Sequence, residues 1–200
     1  MNPILIGVAG GSGAGKSTIC YKLVDEYPNV YEIINLDDYQ KKKTESNLPT
    51  VDGKINWDHP DIIDWSKLIQ DVKELLNGRS ITIDVWSHRS NPNYAVHRKM
   101  IKRTINPKHI ILLEGYLALH NSELNRLYAK KFYLDIDDEA RKLRRGKNDV
   151  IDNPDYEEKI LLPMHKQFVE PTKKNADKVI NVSNMSVSQV AEEIHAVTRF

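Results

Sequence analysis

Gly10-Gly11-Ser12-Gly13-Ala14-Gly15-Lys16-Ser17 fits the pattern G-x-x-x-x-G-K-[ST] at every fixed position. Ahead of it, Ile4-Leu5-Ile6-Gly7-Val8-Ala9 is an apolar run of strand length. Behind it, Thr18 to Tyr27 carries Ile19, Leu23 and Val24 at helical spacing. A glycine-rich loop between a buried strand and a helix start is the context that gives the pattern its meaning. Glycines lack Cβ atoms, so successive backbone N–H groups turn inward and approach phosphate oxygens closely. The helix beginning near Gly15 adds the partial positive charge of its N-terminus. Lys16 supplies a mobile cation for β- and γ-phosphates, and the Ser17 hydroxyl is a Mg²⁺ ligand. The expected phosphate site runs from Gly10 through Thr18, and the chain is read as a nucleotide binder.

The rest of the composition narrows the class. Two hundred residues suit one domain with a substantial core. A net charge of +1 leaves no polyanion footprint, so no nucleic-acid partner is expected. The single cysteine, Cys20, rules out an internal disulfide or a thiolate metal cluster and reads as a small buried hydrophobe. No apolar run approaches membrane-spanning length and the sequence enters its first strand at once, so a cytoplasmic protein with no membrane partner is expected.

Further strands are read at Val30–Leu36, ending at Asp37-Asp38, at Lys108–Leu113, ending at Glu114-Gly115, at Lys131–Ile136 and at Lys178–Val182. Helices are read at Glu123–Ala129, Asp138–Arg145, Pro154–Val169 and Val187–Thr198. Another, opened by Asp58-His59-Pro60-Asp61, carries the stripe Ile62, Trp65, Leu68, Ile69, Val72, Leu75 and Leu76. Lys41 to Gly53 reads as a polar loop. Ser80–Trp86 and Lys102–Ile105 read as a hairpin whose long tip holds His88, Arg89, Tyr94, His97 and Arg98. Alternating strands and helices imply a parallel sheet covered on both faces, with ligands at the C-terminal strand ends. Asp37 or Asp38, Glu114 and the phosphate loop therefore point to one rim.

Switch GTPases need Asp-x-x-Gly after a strand, and none of the nine glycines has Asp three residues before it. The guanine-reading Asn/Thr-Lys-x-Asp is absent too, since Thr172-Lys173-Lys174-Asn175 lacks the acid, and the chain is short for a transport ATPase. A compact small-molecule kinase remains.

Nearly the whole chain resembles the uridine kinase family, in the family's order. The matching pieces are the phosphate loop, Leu36-Asp37-Asp38-Tyr39, Asn56-Trp57-Asp58-His59-Pro60-Asp61 and Leu113-Glu114-Gly115-Tyr116-Leu117. Phe132-Tyr133-Leu134-Asp135, Arg144-Arg145 and Glu170-Pro171-Thr172-Lys173-Lys174-Asn175-Ala176-Asp177 complete the set. Nicotinamide riboside kinase, a close cousin, is echoed by Asp37-Asp38 and by Asn153-Pro154-Asp155-Tyr156 leading into Leu162-Pro163-Met164. The resemblance implies an α/β fold, a P-loop NTPase three-layer sandwich with a five-stranded parallel sheet in strand order 2-3-1-4-5. A small β-hairpin subdomain over 79–106 and a short lid over 144–153 belong to one kinase domain spanning 1–200. It implies ATP as donor, Mg²⁺ as cofactor, a nucleoside 5′-hydroxyl as acceptor with uridine or cytidine favoured and nicotinamide riboside or another ribosyl-like alcohol as the alternative, and leaves homo-oligomer formation open.

Asp37 matches the family's general base, beside the alternative that it only holds Mg²⁺ or caps a turn. Asp38 ranks below it, because it would point to the other side of an extended chain. Glu114 is expected to orient a Mg²⁺-bound water or the acceptor. Asp58 reads from the residues as a helix N-cap, and from the resemblance as a ribose contact. Tyr94, His97 and Arg98 resemble a base-reading region, His88-Arg89 being a competing alignment, with Trp86 or Tyr94 stacking on the base. Arg144 and Arg145 read as a basic helix face or as lid arginines over the phosphates. Lys147 stands in for a lost lid arginine, Asn148 occupying its place, and the following Arg-rich run is missing. Thr172–Ala176 reads as an adenine-flanking loop or a simple connection. The shortened lid also leaves open a nucleotide-binding regulatory protein without turnover.

Overall fold

The computed structural model describes residues 2–86, 91–97, 99–146 and 154–198. β1 (Ile4–Gly10) is apolar on both of its faces, and the sheet forms around it. α1 (Lys16–Glu26) and β2 (Tyr31–Asn35) follow, then a small hairpin, β3 (Thr50–Val51) and β4 (Lys54–Ile55), and α2 (Trp65–Leu76). β5 (Ile81–Val85) and β6 (Ile101–Ile105) form a second hairpin with the short α3 (Tyr94–His97) in its tip. Then come β7 (Ile110–Glu114), α4 (Ser122–Leu127), β8 (Tyr128–Asp135) and α5 (Asp138–Gly146). α6 (Pro154–Tyr156) and α7 (Leu162–Met164) are joined and followed by π-type turns at Glu157–Leu161 and His165–Val169, ahead of β9 (Lys178–Asn181) and α8 (Val187–Val197).

Five strands make one parallel sheet in the order β2-β7-β1-β8-β9. Counted along the chain within that sheet, this is the expected 2-3-1-4-5. Period-two alternation divides the apolar residues between two cores. Ile6, Val8, Ile110 and Leu112 pack under α1 and α8, with buried Cys20 among them. Leu5, Ala9, Ile111 and Leu113 pack under α2 and the β5–β6 hairpin. That hairpin is pinned to the sheet by Arg103, which donates to the nearly buried Glu32 at 2.7 Å. Among the described residues no helix is long and apolar enough to cross a membrane.

Several boundaries differ from the sequence reading. β2 ends at Asn35, and Leu36–Tyr39 closes into a 3₁₀ turn rather than continuing the strand. The loop read at Lys41–Gly53 contains β3, and Asp52 and Gly53 both take positive φ in the tight turn to β4. The helix read from Asp58 begins at Trp65, where Asp64 is the cap and accepts from the Lys67 N–H at 3.0 Å. Pro60–Ile62 is a separate 3₁₀ turn capped by His59. The helix read to Ala129 stops at Leu127 because β8 begins at Tyr128. The helix read as regular over Pro154–Val169 widens into its π turns around Pro163, which has no N–H to donate and crowds the carbonyl four residues back.

Candidate functional site

The phosphate loop leaves β1 at Gly10, whose φ of 145° few side chains tolerate; a Cβ there would stand 2.4 Å from the Leu134 carbonyl oxygen. Gly15 caps α1 in the left-handed region at φ 84°, turning the loop into the helix. Lys16 folds back and donates to the Gly11 carbonyl at 3.0 Å. Ser17 Oγ donates to Glu114 Oε1 at 3.1 Å, so the loop's hydroxyl and the carboxylate ending β7 converge.

Strand register explains why those acids gather. Glu114 lies level with Val8 of β1 and Asn35 of β2. A Cβ on Gly115 would stand 2.4 Å from Leu36 Cβ, so glycine at that point lets the 3₁₀ turn carrying Asp37 close against the end of β7. The turn also separates the two aspartates. Asp37 lines the cleft with the phosphate loop, while Asp38 accepts from the Trp86 N–H at 2.9 Å and fastens the hairpin. The reason given for ranking Asp37 above Asp38 does not hold, since the chain there is a 3₁₀ turn and not extended.

The cleft has a volume of about 850 Å³. Burial pushes the Asp37 carboxyl up to about 6, against the pull of the Lys16 charge and helped by Asp38 and Asp58. Burial likewise raises Glu114 to about 7, again opposed by Lys16. Lys16 is itself lowered by desolvation, although Glu114 and Asp37 work the other way. The three groups feel one another's charge in a single low-dielectric space.

Also in the cleft wall, Asp58 accepts from the Tyr156 hydroxyl at 2.8 Å, and the Tyr156 hydroxyl oxygen accepts from the Trp57 N–H at 3.1 Å. The Tyr116 hydroxyl donates to the Trp57 carbonyl at 2.7 Å. Asp58 therefore caps neither the 3₁₀ turn nor α2, and it faces the cleft. Trp57, Tyr116, Tyr156 and Gln40 line the cleft beside Asp58 and Asp37, and none of the four was singled out from sequence for a site role. Their signal was faint: aromatic residues adjoin Asp58 and Glu114-Gly115, but nothing in the spacing says which ring faces the cavity.

The described residues read as base contacts lie elsewhere. Trp86 and Tyr94 pair with each other, ring centroids 5.9 Å apart, and His97 is exposed; none of the three lines the cleft. His88, Arg89 and Arg98 fall outside the described residues. Arg144 is in the cleft wall and donates to the Val182 carbonyl at 2.6 Å, beside the β9–α8 turn. Arg145 is described by its backbone alone, within α5, and Lys147 and Asn148 with most of the 144–153 lid fall outside the described residues. Thr172 is buried and donates to the Val169 carbonyl at 2.6 Å, and Lys173 pairs with Asp135. Neither lines the cleft.

Comparison with known proteins follows the same lines. The model of the phosphoribulokinase/uridine kinase family matches residues 5–191. The chain belongs to that family. The uridine kinase of Streptococcus pyogenes serotype M5 (strain Manfredo) is 34% identical over 193 residues, covering 92% of this chain and 90% of that one. The uridine kinase of Clostridium novyi (strain NT) is 36% identical over 189 residues, covering 90% and 88%. Among solved structures, a possible uridine kinase from Bacillus stearothermophilus superimposes with a TM-score of 0.62 at 16% identity over 90% of each chain. Shikimate kinase from Acinetobacter baumannii, in complex with shikimate, gives 0.53 at 17% identity over 98% of this chain and 92% of that one. These two carry the fold alone, the P-loop kinase fold expected from the sequence.

Proposed function

We propose that this family member transfers the γ-phosphoryl group of ATP, with Mg²⁺, to the 5′-hydroxyl of a pyrimidine ribonucleoside, uridine or cytidine. The observation that carries the reading is that one cleft is lined by the phosphate loop, by Asp37 and by a tyrosine-held aspartate, Asp58. Similarity to proteins named uridine kinase, over 92% and 90% of this chain, supports the choice of acceptor.

The oxygen donors suit the metal. Ser17 Oγ and Glu114 Oε1 are hard ligands 3.1 Å apart at the loop's mouth. Mg²⁺ binds through one or two such oxygens and takes the rest from phosphates and waters. Among the described residues no group of three or more His, Cys, Asp or Glu forms a metal cage of its own. When bound, the ion neutralises charge on the transferring phosphates.

The chain's own residues do the rest. The amides of Gly10–Thr18 hold the donor, and Lys16 exchanges its bond to Gly11 for phosphate oxygens. Asp58, oriented by Tyr156, accepts from the sugar hydroxyls and sets the 5′-oxygen in line. That oxygen attacks the γ-phosphorus, the β–γ bridging oxygen leaves on ADP, and Asp37 takes the hydroxyl proton. A carboxylate held near neutrality by burial is suited to that exchange. Arg144, Arg145 and Lys147 are assigned to the donor side, and Trp57, Tyr116 and Tyr156 to the acceptor ring and sugar. Nucleoside-stimulated ADP release across uridine, cytidine and nicotinamide riboside tests the reading. Rates for uridine or cytidine well above the third support it; equal, weak rates for all three refute it.

A further inference from the structure

His165 plays no part in the steps above, yet it lies in the cleft wall on the second π turn. Its ring rests on the phosphate loop. A Cβ built on Gly11 would stand 2.8 Å from His165 Cε1 and 3.2 Å from its Nδ1, with a guanidinium nitrogen of buried Arg141 at 3.5 Å. Gly11 is not a fixed position of the loop pattern. Its φ is not positive, unlike those of Gly10, Gly13 and Gly15, so the backbone does not demand glycine there. The imidazole does. On the other side, the Gly11 carbonyl accepts from Lys16. Residue 11 is thus held between the lysine that serves the donor and the ring of His165.

The same helical stretch carries Tyr156 nine residues earlier, bonded to Asp58 and to the Trp57 N–H. Nine residues of helix span roughly 13 Å, enough to reach from the acceptor end of the cleft to the loop. Hydrogen-bonded helix is stiff along its axis, and its wide turns around Pro163 are features that recur at functional sites. The stretch therefore runs from the hydrogen-bond partner of Asp58 to the ring that rests on Gly11.

We propose that His165 is a positioning residue for the phosphate loop, and that the helical stretch from Tyr156 to His165 couples acceptor engagement at Asp58 to the affinity of the loop for the donor. The coupling half rests on the reading of Asp58 as an acceptor contact; the ring contact does not.

The test uses Gly11→Ala, His165→Ala and the double variant of the full chain. Each is titrated with MgADP, with and without saturating uridine, and its thermal midpoint is recorded. Gly11→Ala should weaken MgADP about tenfold or more by overpacking against the ring, and the double variant should recover most of that loss. Additive losses overturn the ring contact. In the unmodified protein uridine should change MgADP affinity, and in His165→Ala that change should shrink to less than about twofold with the thermal midpoint held. Coupling that survives in His165→Ala, or is absent from the unmodified protein although both ligands bind, overturns the link. Failure of any nucleoside to bind overturns the link together with the acceptor reading, while the rescue pair still decides the ring contact.

Discussion

The phosphate-loop wall of the cleft is one uninterrupted run, Ser12 to Ile19, whereas the wall proposed to take the acceptor is assembled from Asp37, Gln40, Trp57-Asp58, Tyr116 and Tyr156, drawn from segments up to 119 residues apart in the sequence. The first is built from backbone amides and needs only a strand, glycines and a helix start. The second is held by tyrosine hydroxyls that bridge segments: Tyr116 to the Trp57 carbonyl, Tyr156 to Asp58 and the Trp57 N–H. A contiguous site tolerates little change at its own residues. A bridged site spreads its dependence over partners that never touch the reacting atoms.

That contrast orders the expected effects. Lys16→Ala should be the most damaging, lowering kcat by about 10³-fold, because charge stabilisation carries most of the acceleration in phosphoryl transfer. A loss under tenfold, read by steady-state assay, would make the donor end less dominant than described. Asp58→Asn should cost about 10²-fold in kcat/KM for the nucleoside, with the ATP KM little changed, as a charged hydrogen bond to the sugar is lost. His97→Ala, exposed and outside the cleft wall, should stay within about threefold. If His97→Ala hurt more than Asp58→Asn, the acceptor end would have to be moved to the hairpin tip.

The smallest effect concerns pH, and here activity and stability run in opposite directions. The base must be ionised, so kcat/KM should fall below about pH 6, the value to which burial raises Asp37. Asp37 and Glu114 both have raised carboxyls in the folded protein, Glu114 to about 7. The folded state then binds more protons than the unfolded one, and the stability this brings is fully present below the ordinary carboxylate range. It is lost as pH rises through 6 and 7. The ligand-free thermal midpoint should therefore decline across that window while activity climbs. A midpoint that rose with activity would mean the two acids are not desolvated.

The phosphate loop was legible because its requirements are local, and the sheet because buried parallel strands are nearly continuous apolar runs. The β5–β6 pairing followed from alternation in Ile81–Val85, and the strand order came with the family resemblance. Asp58 was ambiguous because an aspartate before a helix looks like a cap; Asp64, six residues on, takes that role. The aromatics of the cleft wall were not singled out, for a physical reason. Periodicity reports which residues are buried, not which ring tips face one cavity from positions 57, 116 and 156. Trp86 and Tyr94 were read as base contacts from the family resemblance; in the structure their rings pair with each other, and the Trp86 N–H donates to Asp38. The Asp52-Gly53 dipeptide would have disclosed the β3–β4 turn.

Asp37 carries the central claim, that an alcohol deprotonated there faces a triphosphate held by the loop. The direct measurement is phosphoryl transfer from MgATP to uridine by Asp37→Asn, beside its affinity for MgADP. Transfer should fall by about 10³-fold while nucleotide affinity stays within about threefold, since a base removed at the acceptor leaves the loop intact. Transfer at the unmodified rate would remove Asp37 from the chemistry and contradict the account.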